Sequence, residues 1–124
     1  MEKRIEPKES EATIQSRIRI ALSPYALMFR TNAGEFFQGQ RVYSKEFGQP
    51  VLIHLKRVEG LPAGYSDLSG VRRCDGRAVF IECKTPAGRV RPEQEQFLTA
   101  MREAHALAGV ARSVDDAVKI IEGR

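Results

Sequence analysis

The sequence predicts an α/β fold, a central mixed β-sheet flanked by helices, with elements in the order roughly αβββαβα. Three observations predict it. Apolar residues recur at helical spacing in three segments, near the start, after residue 92 and at the end. Short apolar runs bounded by Gly, Pro, Asn and Asp lie between them, as strands do. One of these, residues 78–84, is apolar on both faces as far as Glu82, the pattern of a strand covered from both sides.

Residues 1–8, charged and holding Pro7, are expected to be a flexible N-terminus, with residues 9–124 forming one domain. Ile14, Ile18, Ala21 and Leu22 define a helix over residues 10–22, with Ser10 as its N-cap and Ser23-Pro24 as its stop. Residues 26–30 form a short apolar strand. Thr31-Asn32-Ala33-Gly34 and a polar, glycine-bearing stretch through Gly48 read as irregular, and residues 51–58 as a further strand. Gly60 to Gly64, with Pro62, interrupts the chain. Tyr65-Ser66-Asp67-Leu68-Ser69-Gly70-Val71 and residues 78–84 then flank Asp75-Gly76, a strong hairpin signal. Thr85-Pro86 ends this strand. Pro92 opens a helix over residues 92–108, with Gln94, Phe97, Leu98, Met101, His105 and Ala108 along one face and Gly109 as its stop. A short strand over residues 110–112 follows. Ser113 caps a last helix that turns Val114, Ala117, Val118 and Ile121 inward.

At 124 residues, 42% hydrophobic and 29% charged, the chain matches an ordinary globular domain. Folding buries about two-thirds of the surface of a chain this long, enough to do without disulfides or a structural metal. Cys74 and Cys83, lacking a second pair or a histidine cluster, make no zinc site and fit a reducing, cytoplasmic setting. No apolar run approaches the roughly 20 residues of a membrane-spanning helix, so no membrane partner is expected. Lys and Arg total 20 against 16 for Asp and Glu, and this +4 balance favours an anionic partner.

The chemistry concentrates around the hairpin. Side chains alternate along a strand, so Glu82 and Lys84 share one face while Cys83 points away. An ionised group on a buried strand costs several kcal/mol unless it is paired or coordinated. The hairpin can bring Asp67 beside Glu82. Two adjacent carboxylates resist joint ionisation, and a Mg²⁺ or Mn²⁺ ion between them reverses that repulsion. A metal held so can supply both a nucleophilic water and charge stabilisation for phosphodiester hydrolysis. Lys84 can orient or deprotonate that water, or offset charge on the phosphate. Glu11 and Gln94 extend apolar helical stripes where another aliphatic residue is expected, and both can reach a common site at one edge of the sheet.

Each residue also has a plainer reading. Glu11 in a first helical turn suits the helix dipole, and Asp67 beside glycines can cap its own turn. Glu82 with Lys84 can be a same-face ion pair, and Gln94 a solvated helix residue. Arg89 and Arg91 read first as surface charge, although their loop also suits phosphate contact. His54 and His105 read as structural. The combination with the hairpin spacing is what favours a site.

At this point the residues resemble a known family, the VRR-Nuc (virus-type replication-repair nuclease) domain of the PD-(D/E)XK, restriction-endonuclease-like superfamily. The resemblance runs through Ser10-Glu11-Ala12-Thr13-Ile14-Gln15, Arg30-Thr31-Asn32-Ala33-Gly34, Gly64-Tyr65-Ser66-Asp67-Leu68, Ile81-Glu82-Cys83-Lys84-Thr85 and Gly88-Arg89-Val90-Arg91-Pro92-Glu93-Gln94. It implies a restriction-endonuclease-like core over residues 9–124, with Glu11 as the helix acid and Asp67 and Glu82 as metal ligands together with the Cys83 backbone carbonyl. It further implies Lys84 as the catalytic lysine, Gln94 as the supporting glutamine, and Mg²⁺ or Mn²⁺ as cofactor. One departure is visible: Ser66 stands where the superfamily name expects proline. Single-domain members resemble homodimeric, structure-selective DNases, some acting on Holliday junctions. The expectation is therefore a DNA endonuclease acting on branched duplexes as a homodimer. The competing expectations are a catalytically silent nucleic-acid-binding module and a restriction-type, sequence-specific endonuclease.

Overall fold

The structure is a computed structural model, described here over residues 9–31 and 36–124. The N-terminal segment 1–8 and the Asn32-Ala33-Gly34 part of the second motif lie outside the described residues. Helix α1 (Glu11–Leu22) begins where Ser10 accepts the Thr13 backbone N–H at 3.1 Å, the expected N-cap. It buries Ile14, Ile18 and Leu22. Strand β1 (Ala26–Arg30) follows, then β2 (Phe36–Ser44), β3 (Gln49–Val58), β4 (Leu68–Arg72) and β5 (Ala78–Cys83). Helix α2 (Pro92–Glu103), strand β6 (Leu107–Ala111) and helix α3 (Val114–Glu122) complete the chain.

Four strands form one mixed sheet in the order β1-β4-β5-β6. β1 and β4, and β4 and β5, pair antiparallel, whereas β6 returns parallel to β5 after α2, a βαβ connection. Alternation along β5 assigns its two faces. Val79, Ile81 and Cys83 join Ile14, Ile18 and Leu22 of α1 and Ala117 and Ile121 of α3 in one buried cluster. Phe80 turns the other way, its ring 5.5 Å from Phe97 of α2 and 5.9 Å from Tyr65. The result is a sheet between helices, as the periodicities predict. β1 lies so close to β4 that a Cβ on Gly70 would stand 1.8 Å from the Leu27 carbonyl oxygen, so only glycine fits there.

Three local readings of the sequence are corrected. Five strands separate α1 from α2, against the four runs read as strands and the three of the rough element order, because residues 36–44, read as irregular, form β2 and pair with β3. These strands are exposed along most of their length, so the apolar/polar alternation that marks a half-buried strand is missing from β2. The second correction concerns α2, which stops at Glu103 rather than residue 108. His105 adopts a left-handed φ of 70° and its N–H returns to the Arg102 carbonyl at 2.9 Å, doing what glycine does at many helix ends. Leu107 is then free to enter the core as the first residue of β6. Gly109 accordingly sits inside β6 beside Ile81, and the last strand spans residues 107–111 rather than 110–112. His54 also takes a positive φ, 54°, at an irregularity in the β2–β3 register.

The β4–β5 turn is held by Arg72, which donates from Nε and Nη2 to the two carboxylate oxygens of Asp75 at 3.1 and 2.6 Å. Asp75 also accepts the Arg77 N–H, and Gly76 supplies a φ of 71°. Cys74 is exposed in this turn, and Cys83 is buried in β5. Among the described residues no helix is long and apolar enough to cross a membrane.

Candidate active site

The antiparallel register of β4 and β5 builds the site. Leu68 pairs with Ile81 and both face the α1/α3 core, so the next pair outward, Asp67 and Glu82, projects from the opposite face. Lys84, two residues beyond Glu82, projects from that same face. Asp67 is oriented by the chain opposite it, since its Oδ2 accepts the Cys83 backbone N–H at 2.9 Å. Its own backbone is tied down as well. The Asp67 carbonyl accepts the Thr31 N–H at 2.8 Å, and the Thr31 hydroxyl donates to the Ser66 carbonyl. Ser66 is fully buried, and its hydroxyl donates to the Leu68 carbonyl at 2.8 Å. The hydroxyl that stands in place of the expected proline ring therefore finds its partner within its own turn.

Glu82 is 1% exposed and Lys84 is 7% exposed, with Nζ 3.8 Å from Glu82 Oε1. Gln94, in the first turn of α2, donates from Nε2 to the same Oε1 at 2.9 Å. Glu82 Oε2 is buried with no hydrogen-bond partner. The start of α1 brings in a third acid: carboxylate oxygens of Glu11, Asp67 and Glu82 all lie within 4.8 Å of one another. Glu11 is exposed, Asp67 half-buried and Glu82 buried, so the cluster opens from the sheet toward solvent. Burial and the neighbouring Asp67 carboxylate push the Glu82 pKa up to about 8, against the opposing pull of Lys84.

The structure thus brings together Glu11, Asp67, Glu82, Lys84 and Gln94. Cys83 contributes its backbone there, while its thiol lies in the core, its pKa raised to about 12, chiefly by burial. Arg89 and Arg91 are both exposed, but differently placed. Arg91 lines a cavity of about 230 Å³ together with Asp67, Gln94, Tyr65, Arg30 and Thr31. Arg89 lies in the loop after β5 and is not part of that lining. Arg112 supports this loop, donating from Nη1 to the carbonyls of Thr85 at 2.6 Å and Gly88 at 2.7 Å. Sequence reasoning assigned no site role to Arg30, Thr31 or Arg112. The first two stand in the Arg-Thr-Asn-Ala-Gly motif, a usable signal; Arg112 stands in no motif.

An acid at the head of one strand, facing a carboxylate that precedes a lysine by two residues on the next, on a mixed sheet between helices, defines a nuclease of the PD-(D/E)XK type. The VRR-NUC domain model matches residues 9–115, nearly the whole chain, and the chain belongs to this family. No curated protein and no solved structure gives a significant match.

Proposed function

We propose that this nuclease is a Mg²⁺- or Mn²⁺-dependent DNA endonuclease that hydrolyses phosphodiester bonds in branched or structured duplexes, Holliday junctions included, acting as a homodimer within the cytoplasm. The observation that carries the metal-dependent reading is Glu82 Oε2. A buried carboxylate oxygen without a partner, beside a second and a third acid, is a poor arrangement for an apoprotein and a good one for a hard cation. The donors on offer are oxygens, which suits Mg²⁺ or Mn²⁺ rather than a thiolate-seeking metal.

In this reading Asp67 and Glu82 hold the ion with the Cys83 backbone carbonyl, and Glu11 extends the acidic wall. When bound, the ion supplies Lewis-acid polarisation of the phosphate and a water of lowered pKa. The protein's own groups do the rest. Gln94 fixes one Glu82 oxygen and so turns the other toward Asp67. Lys84, buried beside Glu82, orients the attacking water or offsets charge developing on the phosphate. Arg91, on the cavity wall, and Arg89, in the adjoining loop, meet the phosphates flanking the scissile bond. The homodimer and the preference for branched DNA rest on family resemblance. A subunit with one site cuts two strands symmetrically only as part of a twofold pair.

The test is cleavage of labelled linear, flap, splayed and four-way substrates with Mg²⁺, with Mn²⁺ and with EDTA, alongside Lys84→Ala. Branched substrates are expected to be cut in either metal and none in EDTA. Undiminished cleavage in EDTA, or full activity of Lys84→Ala, would refute the reading.

A further inference from the structure

We infer that the cavity beside the acid cluster is a subsite for one backbone phosphate of the bound strand, next to the scissile one, with Arg30 as its principal ligand. The inference rests on the nuclease reading above. Arg30 ends β1, in register with Leu68, the residue after Asp67. It lines the cavity of about 230 Å³ together with Arg91, which the start of α2 brings to the same space. Asp67 and Gln94 line it too, and both belong to the acid site, Asp67 directly and Gln94 through its bond to Glu82. Gln15 stands one helical turn after Glu11, so one face of α1 supplies the third acid and a wall of the cavity. The cavity and the acid cluster therefore adjoin at Asp67.

Two arginines on the walls of one small, mostly polar cavity repel each other, and an anion between them reverses that repulsion. Among the described residues no ion pair and no hydrogen bond takes up the Arg30 guanidinium, although Asp67 lines the same space. Arg91 meets Glu93 through Nε at 3.5 Å on an exposed surface, a pair that contributes little and leaves its other N–H groups to donate. Both arginines are rooted in fixed backbone. Thr31, the residue after Arg30, donates its N–H to the Asp67 carbonyl at 2.8 Å and its hydroxyl to the Ser66 carbonyl. The Arg91 N–H donates to Gln94 Oε1 at 3.0 Å. Binding an anion here orders two side chains and no backbone, which keeps its entropic cost low.

Size and lining choose the anion. The cavity is smaller than the roughly 300–1,000 Å³ of a pocket that encloses a whole small molecule, so it suits one phosphate and its sugar rather than a free nucleotide. Guanidinium groups present paired donors that match phosphate oxygens. Tyr65 completes the wall. Its ring is held by Phe97 at 4.6 Å and by Phe80 at 5.9 Å between centroids, and it offers the adjoining sugar or base an apolar surface. An acidic peptide could meet the same two arginines, but the acid site at Asp67 already calls for a strand that carries a phosphate at every step. Arg30 therefore acts on register: it holds the neighbouring phosphate so that the scissile one stands over the acids.

The experiment compares the full-length wild type with Arg30→Ala and Arg30→Lys on a four-way DNA substrate and on a set in which one backbone phosphate at a time is a neutral methylphosphonate. Affinity is measured in Ca²⁺ over a range of salt, and single-turnover cleavage in Mn²⁺. Arg30→Ala is expected to make the slope of log affinity against log salt shallower by about one phosphate contact, roughly 0.7–0.9. Its affinity should fall about 10-fold, as for one lost charge-assisted hydrogen bond. Arg30→Lys, which keeps the charge, should keep the slope. One methylphosphonate beside the scissile bond should weaken wild-type binding by a similar factor and have no further effect in Arg30→Ala. Unfolding curves of the variants should match the wild type, and Arg30→Gln, equally neutral, takes the place of Arg30→Ala if that variant does not fold. A wild-type salt slope in the neutral variant, or methylphosphonate effects that are the same in both proteins, overturns the inference. Coupling between Arg30 and one phosphate in a protein that cuts no DNA sinks the nuclease reading and leaves the subsite standing; cleavage without such coupling does the reverse.

Discussion

Gln94 holds Glu82 and Arg91 at once: its Nε2 donates to Glu82 Oε1 at 2.9 Å and its Oε1 accepts the Arg91 backbone N–H at 3.0 Å. One side chain therefore ties the entry of α2 to the buried carboxylate of β5, satisfying an otherwise orphan N–H of the helix start and one of the two Glu82 oxygens together. Gln94→Leu keeps the bulk and loses both bonds. It is expected to lower divalent-ion affinity and cleavage rate about 10- to 100-fold, the usual effect of removing a group that orients a ligand. Calorimetric Mn²⁺ titration and single-turnover cleavage would measure it; wild-type values in both would show that Gln94 only caps the helix.

Lys84→Ala removes the ammonium 3.8 Å from Glu82 and leaves the fold standing, because the aliphatic stem contributes little to the α1/α3 core on the opposite face. Cleavage is expected to fall by about 10²- to 10⁴-fold, the range for a positioned proton-transfer or charge-stabilising group. Lys84→Arg is expected to restore little, since a planar fork does not replace a compact ammonium. Activity assays at saturating metal, with unfolding curves as the control, decide it.

Glu82 makes the metal-free protein sensitive to pH. Its folded-state pKa of about 8 lies above the ordinary 4.5, so folding favours the protonated form. That stabilisation is complete below about pH 4.5 and is lost as the pH rises through about 8. Wild type in EDTA should therefore lose stability relative to Glu82→Gln as the pH is raised across this window. Divalent metal should stabilise the wild type most at its upper end and Glu82→Gln hardly at all. Thermal unfolding at several pH values, with and without Mn²⁺, checks both halves; parallel curves for the two proteins would be contrary to expectation.

Gly64 approaches α2 with a φ of 88°, and a Cβ there would stand 2.4 Å from the Glu93 carbonyl oxygen. Gly64→Ala thus meets both backbone strain and a clash against a helix that cannot yield freely. A loss of about 1–3 kcal/mol is expected, together with reduced cleavage because the displaced helix carries Gln94. Denaturant unfolding reads the first effect and the cleavage assay the second.

The sequence was most legible where one residue's environment follows from its near neighbours. Alternation along β5 places Glu82 and Lys84 on one face, and Asp75-Gly76 closes the hairpin that sets Asp67 opposite Glu82. Ser10 and Ser113 cap their helices as their side chains suggest. Legibility failed where position depends on distant partners or on an exception to a propensity. His105 takes a conformation that glycine would announce, so the true end of α2 was hidden behind an apolar stripe that happened to continue into β6. β2 is exposed on both faces and so carries no periodicity. Arg112 supports the loop after Lys84 from another strand's end, a contact that no local spacing encodes.

The two thiols differ in a way that makes the protein convenient to watch. Cys83 is shielded within the core, and a thiol held to a pKa near 12 is almost never a thiolate at neutral pH. Cys74 stands in the open at the far turn of the same hairpin, about five residues of strand from Asp67. A maleimide dye will therefore attach at one place without any engineering, on a rigid segment continuous with the acid pair yet clear of it. Fluorescence anisotropy from that dye gives a direct reading of tumbling, and so of what the molecule has joined.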